Sequence, residues 1–245
     1  MPGPSSPAPV SVSAPVADNL LDLSAPASAP PSQPLPAASQ PAPEASRPHR
    51  RAADSAPRRV RTDNPAILSP KEPVVTLTRL QSGVGVLRIE AACSPAVGDL
   101  RLGCAYQLRS GVSSVVQLAG GPRTAPPGAN RPVITADRGQ FELLTIDLVQ
   151  SRSLERLIVY AFSDSGGQLN WGGTLLLSTF GQARVELPLD RPPSTRPAVL
   201  LSLYNIDGEF VVRAEMEEIT GSVRDAVAAY GFDRIAWLDH RTPLI

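Results

Sequence analysis

Residues 100–121 read LRLGCAYQLRSGVSSVVQLAGG, and their pattern predicts a β-hairpin. Apolar side chains fill every second position of the first half, which places them on one face of a strand. They are Leu100, Leu102, Cys104, Tyr106 and Leu108. Gly111 follows where a tight turn needs a positive φ, and a second apolar run covers 112–118. The stretch contains no catalytic set of side chains, so we interpret it as part of a sheet.

The sequence beyond this hairpin predicts many more short strands. Arg156–Phe162 is apolar at consecutive positions, which is typical of a central strand that is buried on both faces. Asn205–Gly208 has the composition of a hairpin turn. Residues 120–140 are rich in Gly, Pro and Arg and predict a loop. Further strands are predicted over 74–78, 84–92, 141–148, 174–180, 184–189, 199–204 and 210–216.

One helix is predicted near the C-terminus. Ser222 can cap it, and Asp225 three residues later completes a capping-box pattern, while Gly231 ends the helix. Its apolar face would consist of Val223, Ala226, Val227 and Tyr230. A closing strand is expected over 234–238. The fold class is therefore all-β dominated: a β-sandwich of two packed sheets over residues 66–245, with one or two short helices near the C-terminus.

Residues 1–65 contain more than half of the prolines, and no aromatic residue precedes Tyr106. Such a segment cannot bury enough apolar surface to offset its ordering entropy, so we predict a disordered Pro/Ala-rich tail. Asp18–Leu23 is an acidic and apolar stretch within it. We favour a chance apolar cluster over a docking motif there. Arg47–Arg61 is basic, and we favour a solvated run of charges over a contact with phosphate or lipid.

The composition excludes several classes of protein. Lys and Arg together number 23, as do Asp and Glu, so net charge directs the chain neither to nucleic acid nor to an anionic membrane. No apolar run approaches the ~20 residues that span a bilayer. The first residues lack the positive n-region and apolar core of a signal peptide. Two cysteines are too few for a disulfide scaffold. A cytoplasmic protein is expected.

Candidate catalytic and metal-binding residues are few. The two histidines are His49, in the predicted tail, and His240. Asp239 could orient His240 as a general base, but we favour an ordinary surface pair of the two residues. Cys104 is expected to be buried and Cys93 to be more exposed at a strand end. Neither cysteine has the spacing of a zinc site. The 119–122 stretch lacks the spacing of a phosphate-binding loop.

Several segments of the sequence follow one another in a characteristic order along the chain. LGCAYQLRSGVSSVVQLAGG is followed by FELLTIDL, LERLIVYAFSDSGGQLNW, VELPLD, a Leu-Tyr-Asn hairpin and AVAAYGFDRIAW. This series resembles the TerD/TerA superfamily of bacterial tellurium-resistance and stress-response proteins, and is most similar to the TerA branch. The resemblance covers residues 66–245. It implies two packed β-sheets, no established enzymatic activity, and calcium sites on acidic loops in many members.

The resemblance places the family's acidic loop at Asp137–Glu142. Only Asp137 keeps its position, and Arg138 follows it. Asp137 and Glu142 are thus the candidate metal ligands, although an ordinary polar turn is the favoured interpretation. Because Ca²⁺ prefers 6–8 oxygen ligands and needs its charge neutralised, binding is expected to be weak, on the order of millimolar.

The resulting hypothesis is a non-enzymatic tellurium-resistance and stress-response binding module that uses no cofactor. Its partners would be other stress-response proteins of the same family, with no nucleic acid and with membrane association only through those partners. It would lie in the cytoplasm, with the inner face of the membrane as an alternative. The second hypothesis is a calcium-responsive sensor domain of the same family.

Overall fold

The computed structural model describes residues 57–244, and within them two seven-stranded sheets pack face to face. The strands are β1 (Arg58–Arg59), β2 (Ala66–Ile67), β3 (Val74–Leu77), β4 (Val86–Ala92), β5 (Leu100–Leu108), β6 (Ser113–Gln117), β7 (Thr124–Ala125), β8 (Ile134–Arg138), β9 (Glu142–Asp147), β10 (Leu154–Ser163), β11 (Thr174–Thr179), β12 (Arg184–Pro188), β13 (Ala198–Ile206) and β14 (Glu209–Glu218). The α-helices are α1 (Arg79–Gly83) and α2 (Val223–Ala229), and 3₁₀ helices cover Pro95–Val97 and Leu148–Ser153.

The predicted β-sandwich is confirmed. The first sheet has the strand order β1-β3-β14-β13-β10-β5-β6, and the second has the order β2-β12-β11-β4-β9-β8-β7. The β1–β3 and β2–β12 pairs are parallel. Consecutive strands often lie in different sheets, so the chain crosses between the sheets repeatedly. The inner faces of both sheets enclose one apolar core, as expected for stacked sheets.

The predicted hairpin at 100–118 is confirmed as β5 and β6, which pair in antiparallel fashion with Cys104 opposite Val116. The five alternating side chains of β5 all lie in the core between the sheets. Gly103 faces the other way, where a Cβ would lie 2.6 Å from the ring of Tyr160. Glycine is therefore required there for the close approach of β5 to that ring.

The first sheet is buried on its outer face as well, because α2 and the residues after it cover this face. Val223, Ala226 and Val227 of α2 are buried against it, with Phe232 and Ile235. Arg156 of β10 stacks over the Phe232 ring at 4.3 Å. This second apolar layer explains why β10, the central strand between β5 and β13, is apolar at consecutive positions.

The predicted helix is confirmed as α2, including its capping box. The Ser222 hydroxyl accepts a hydrogen bond from the main-chain N–H of Asp225, whose carboxylate accepts one from the N–H of Ser222. The predicted closing strand at 234–238 is wrong. Ile235 packs into the second layer, and the chain then doubles back through a single bridge between Trp237 and Pro243. The apolar residues of this segment serve packing and not strand pairing.

The boundary predicted between residues 65 and 66 is too late. Residues 1–56, including Asp18–Leu23, lie outside the described residues. Arg58–Arg59 forms β1 beside β3, and Val60 is 3% exposed within the core. Main-chain hydrogen bonding to β3 and burial of Val60 therefore place 57–65 in the domain. Arg58 and Arg59 at the end of the basic run form ion pairs with glutamates of the domain.

The predicted loop at 120–140 is wrong in its second half. Residues 134–138 form β8, which pairs with both β7 and β9. Ile134 and Ala136 are buried in the core. The strand was missed because its alternation in polarity covers only the four residues before Arg138, and the surrounding Gly and Pro dominate the composition.

Candidate functional site

A concave surface with a volume of about 870 Å³ lies at one end of the sandwich. Three arginines line it, and we call it the arginine groove. Its main side chains are Arg79, Leu80, Val84, Arg109, Val149 and Arg152. They come from α1, the β5–β6 turn and the 3₁₀ helix 148–153, and the β13–β14 turn completes the wall.

The short helix α1 places Arg79 and Leu80 on the groove. Thr78 caps it through a full capping box with Gln81. The inner side of the helix is fixed: the Gln81 amide donates to the Val60 carbonyl at 3.2 Å, and the Ser82 hydroxyl accepts from the Phe210 N–H at 2.9 Å. Arg79 and Leu80 consequently face solvent.

The 3₁₀ helix 148–153 forms the opposite wall. Asp147 caps it by accepting a hydrogen bond of 3.0 Å from the N–H of Val149. Leu148 and Ser151 are buried, which fixes this turn against the domain. Val149 and Arg152 of the same helix are exposed and line the groove.

Asn205 joins three of the contributing segments. Its side-chain amide donates to the Ser151 carbonyl at 2.7 Å, and its side-chain oxygen accepts from the Gly208 N–H at 3.1 Å. Its main-chain carbonyl accepts from the guanidinium of Arg109 at 3.0 Å. The Arg109 N–H also donates to the Ser153 carbonyl at 2.8 Å. The Arg109 guanidinium is therefore oriented before any ligand arrives.

The groove has a local excess of positive charge. Within residues 57–244, none of Arg79, Arg109 and Arg152 forms an ion pair. Asp207 is the single acidic residue among the lining residues. Many arginines elsewhere in the described domain are paired, such as Arg184 with Glu186 at 2.7 Å, although some exposed ones, such as Arg196, are not. The groove therefore offers cationic groups that are not neutralised by the fold.

Large apolar side chains are exposed beside these arginines. Leu80 is 70% exposed and Val149 is 66% exposed, and Val84, which also lines the groove, is exposed as well. Phe180, which is 72% exposed, packs next to Gly85 at the start of β4. Clustered exposed apolar side chains with a polar rim are typical of interaction surfaces on folded domains.

The chemistry of the groove suits binding. Asp207 is its one acidic lining residue, and its one lining hydroxyl belongs to the buried Ser151. Arginine guanidinium groups stay protonated at any physiological pH and act as hydrogen-bond donors with a fixed fork geometry. The arrangement can bind anionic groups next to apolar ones.

The structure does not bring Asp137 and Glu142 together. Arg138 pairs with Glu142 across β8 and β9, so Asp137, one residue earlier, faces the opposite side of the sheet. Glu142 is 5% exposed at the edge of the core. The two carboxylates cannot share one calcium ion, and this pair does not fit the ligand set that the family resemblance implies.

The carboxylates of both residues have other contacts. Asp137 accepts a hydrogen bond from the Arg138 N–H at 2.7 Å. Glu142 lies 3.5 Å from the guanidinium of Arg101 and 3.4 Å from that of Arg138. Burial raises the pKa of Glu142. Within residues 57–244, no three His, Cys, Asp or Glu side chains are grouped to hold a metal ion.

The remaining sequence candidates are separate from the groove. Cys104 is 1% exposed, and burial raises its pKa to about 12; Cys93 is partly exposed, and burial raises its pKa as well. His240 is exposed. The Asp239 carboxylate accepts hydrogen bonds from the N–H groups of Arg241 and Thr242, both at 2.7 Å, so it stabilises a turn.

Sequence reasoning missed the arginine groove. One local signal was present, because Thr78 and Gln81 have the spacing of a capping box that starts α1. The lining residues are separated by more than 120 positions between Arg79 and Asp207, and nothing in the local sequence shows that these turns meet.

No family model matches the chain, and no curated protein matches it in a sequence comparison. The TerD/TerA resemblance therefore rests on the sequence blocks quoted above. Among residues 57–244, none of the helices has the length and apolar composition needed to cross a membrane.

Proposed function

We propose that this protein is a non-enzymatic binding module of the tellurium-resistance and stress-response type, and that protein partners dock on its arginine groove. The supporting observation is the groove itself: three arginines without ion pairs in the described domain stand beside exposed Leu80 and Val149. The partners are other stress-response proteins in a bacterial cytoplasm or at the inner face of its membrane.

Two arguments support this proposal. Leu80 and Val149 are exposed and do not pack in the core. Burial of such exposed apolar surface by a partner is energetically favourable. The blocks between residues 100 and 238 resemble a superfamily linked to tellurite and chemical stress. Binding through a surface requires no catalytic set of side chains.

The test is protection of a tellurite-sensitive bacterium that expresses the full chain. We expect growth at tellurite concentrations that stop the control strain, and loss of this protection in the double variant Leu80→Ser/Val149→Ser. The matched control is Ile67→Ser/Leu238→Ser, which alters two exposed apolar side chains outside the groove. Both double variants should keep the wild-type melting temperature, because exposed positions contribute little to stability.

Protection that survives Leu80→Ser/Val149→Ser at equal protein levels would contradict docking through the groove. Absence of protection by the wild-type chain would contradict the tellurite-resistance assignment itself.

A further inference from the structure

Building on the proposed function, we infer that the segment bound in the arginine groove is an acidic, leucine-rich peptide stretch of the partner protein. The groove combines three arginines with one aspartate and also exposes the apolar side chains of Leu80, Val84 and Val149. A ligand that complements both features must carry carboxylates and large apolar side chains within one short segment.

The carboxylates are required by the electrostatics of the groove. Arginine presents two parallel N–H donors that match the two oxygens of a carboxylate. The Arg109 guanidinium already donates one hydrogen bond to the Asn205 carbonyl at 3.0 Å, so its position is fixed before binding. A preorganised donor loses less side-chain entropy on binding. Arg79 and Arg152 are exposed on the two walls and can approach a segment from both sides.

The leucine-type side chains are required by the apolar surface. Leu80 projects from α1 and Val149 from the facing 3₁₀ helix. A purely acidic ligand would leave both exposed to water, whereas burial of both side chains against apolar groups of a ligand is favourable. Recognition of acidic motifs by arginine clusters with adjoining apolar contacts is an established way of binding peptides.

The concave shape favours a peptide over a bilayer. A volume of about 870 Å³ between two walls is within the range of sites that enclose a ligand. A flat lipid surface would contact the rims and leave the concave part of the groove unfilled. Binding of single-stranded nucleic acid usually relies on several aromatic stacking platforms, and Phe180, the exposed aromatic side chain described next to the groove, is not among its lining residues.

The experiment uses the full chain and fluorescein-labelled Glu-Leu-Leu-Glu-Leu-Glu, with binding measured by fluorescence anisotropy. Two matched peptides replace all glutamates by glutamine or all leucines by serine. We expect each replacement to weaken binding by about tenfold or more. Arg79→Gln/Arg152→Gln should weaken binding of the original peptide to the same degree, and higher ionic strength should weaken it further.

The matched control is Arg196→Gln, which removes an exposed arginine outside the groove that forms no ion pair within the described domain. It should bind the peptide as the wild type does. Binding that is unchanged by Arg79→Gln/Arg152→Gln, or that tolerates the glutamine peptide, would overturn the inference. So would sedimentation with phosphatidylglycerol vesicles that depends on these arginines while the peptide fails to bind.

This test is separable from that of the proposed function. If the peptide fails to bind but tellurite protection still requires Leu80 and Val149, the groove has another kind of partner and only the inference is overturned. If the peptide binds through the arginines but Leu80→Ser/Val149→Ser retains protection, the inference stands and the proposed function is wrong.

Discussion

The side-chain amide of Asn205 donates a hydrogen bond of 2.7 Å to the main-chain carbonyl of Ser151, and this bond joins the β13–β14 turn to the 3₁₀ helix at the arginine groove. The two residues are 54 positions apart, and both are buried. The same Asn205 side chain accepts from the N–H of Gly208. One residue therefore holds two walls of the groove at a fixed separation.

Asn205→Ala should lower the free energy of unfolding by roughly 1–3 kcal/mol, because the buried Ser151 carbonyl would lose its hydrogen-bond donor. Urea denaturation of the full chain measures this change. Asn170→Ala is the matched control: Asn170 is exposed and donates a longer bond of 3.3 Å to Ala96, so its replacement should change stability by less than about 0.5 kcal/mol. Equal effects of the two variants would show that Asn205 does not brace the groove.

Asp99 should titrate far below the usual range of an aspartate. Its carboxylate accepts a hydrogen bond from the Ser163 hydroxyl at 2.6 Å and another from the Ser165 N–H at 2.6 Å. These bonds, chiefly that from Ser163, lower the pKa of Asp99 to about 2. Because the folded pKa lies below the unfolded value of about 3.9, the stabilisation is complete above pH ~4 and is lost as the pH falls through about 2.

The measurement is an NMR titration of the Asp99 carboxyl carbon. Ser163→Ala should raise the pKa of Asp99, because it removes the largest cause of the shift. The control variant Ser178→Ala, on β11 of the other sheet, should leave the pKa of Asp99 unchanged. An Asp99 midpoint that is the same in wild type and Ser163→Ala would disprove this account.

The two cysteines should differ in reactivity. The thiolate is the reactive form, and the pKa of the fully buried Cys104 is about 12. We expect a thiol reagent to label Cys93, which is partly exposed, and to reach Cys104 only on unfolding. Cys93→Ser tests this directly, because the native variant should then show no fast-reacting thiol. Rapid labelling of native Cys93→Ser would mean that Cys104 does not face the core.

Cys104→Ser should also cost roughly 1–3 kcal/mol of stability, since it places a hydroxyl among apolar side chains. The change is measured by urea denaturation, with Cys93→Ser as the comparison. A cost for Cys104→Ser no larger than that for Cys93→Ser would contradict the core position of Cys104 between Leu102 and Tyr106.

A chain that begins at residue 64 should be less stable than one that begins at residue 57. The shorter chain lacks β1 and the buried Val60, whose carbonyl accepts the Gln81 amide at 3.2 Å. Loss of the Val60 side chain alone should cost about 1.5–3 kcal/mol. Thermal unfolding of the two chains gives the comparison. Equal melting temperatures would mean that the domain begins at residue 66, as the sequence predicted.

The sequence predicted those elements whose pattern is local. The alternation in β5 is visible because Leu100, Leu102 and Cys104 all face the core while residues between them face away. Helix α2 is visible because Ser222 and Asp225 supply its cap within three residues. Residues 234–238 show the limit of this reasoning: an apolar run fits a strand as well as a segment that packs on a sheet, and Ile235 takes the second role.

The family resemblance implied that two carboxylates bind calcium together, but the strand register places these carboxylates apart. Asp137 and Glu142 are close in sequence, but the β8–β9 pairing places them on opposite faces of the second sheet. A shift of one residue in register would have reversed this arrangement, and the local sequence contains no turn motif that fixes it.

By itself, the sequence of this protein determined the β-sandwich, the β5–β6 hairpin and helix α2, because periodicity and capping act over a few neighbouring residues. Tertiary structure decided that Val60 belongs to the core, that α2 covers one sheet, and that Arg79, Arg109 and Arg152 share a groove. Turns far apart in the chain meet there because the strands before them lie in two stacked sheets and end on the same side. That proximity depends on strand order and register, which arise from packing across the whole domain.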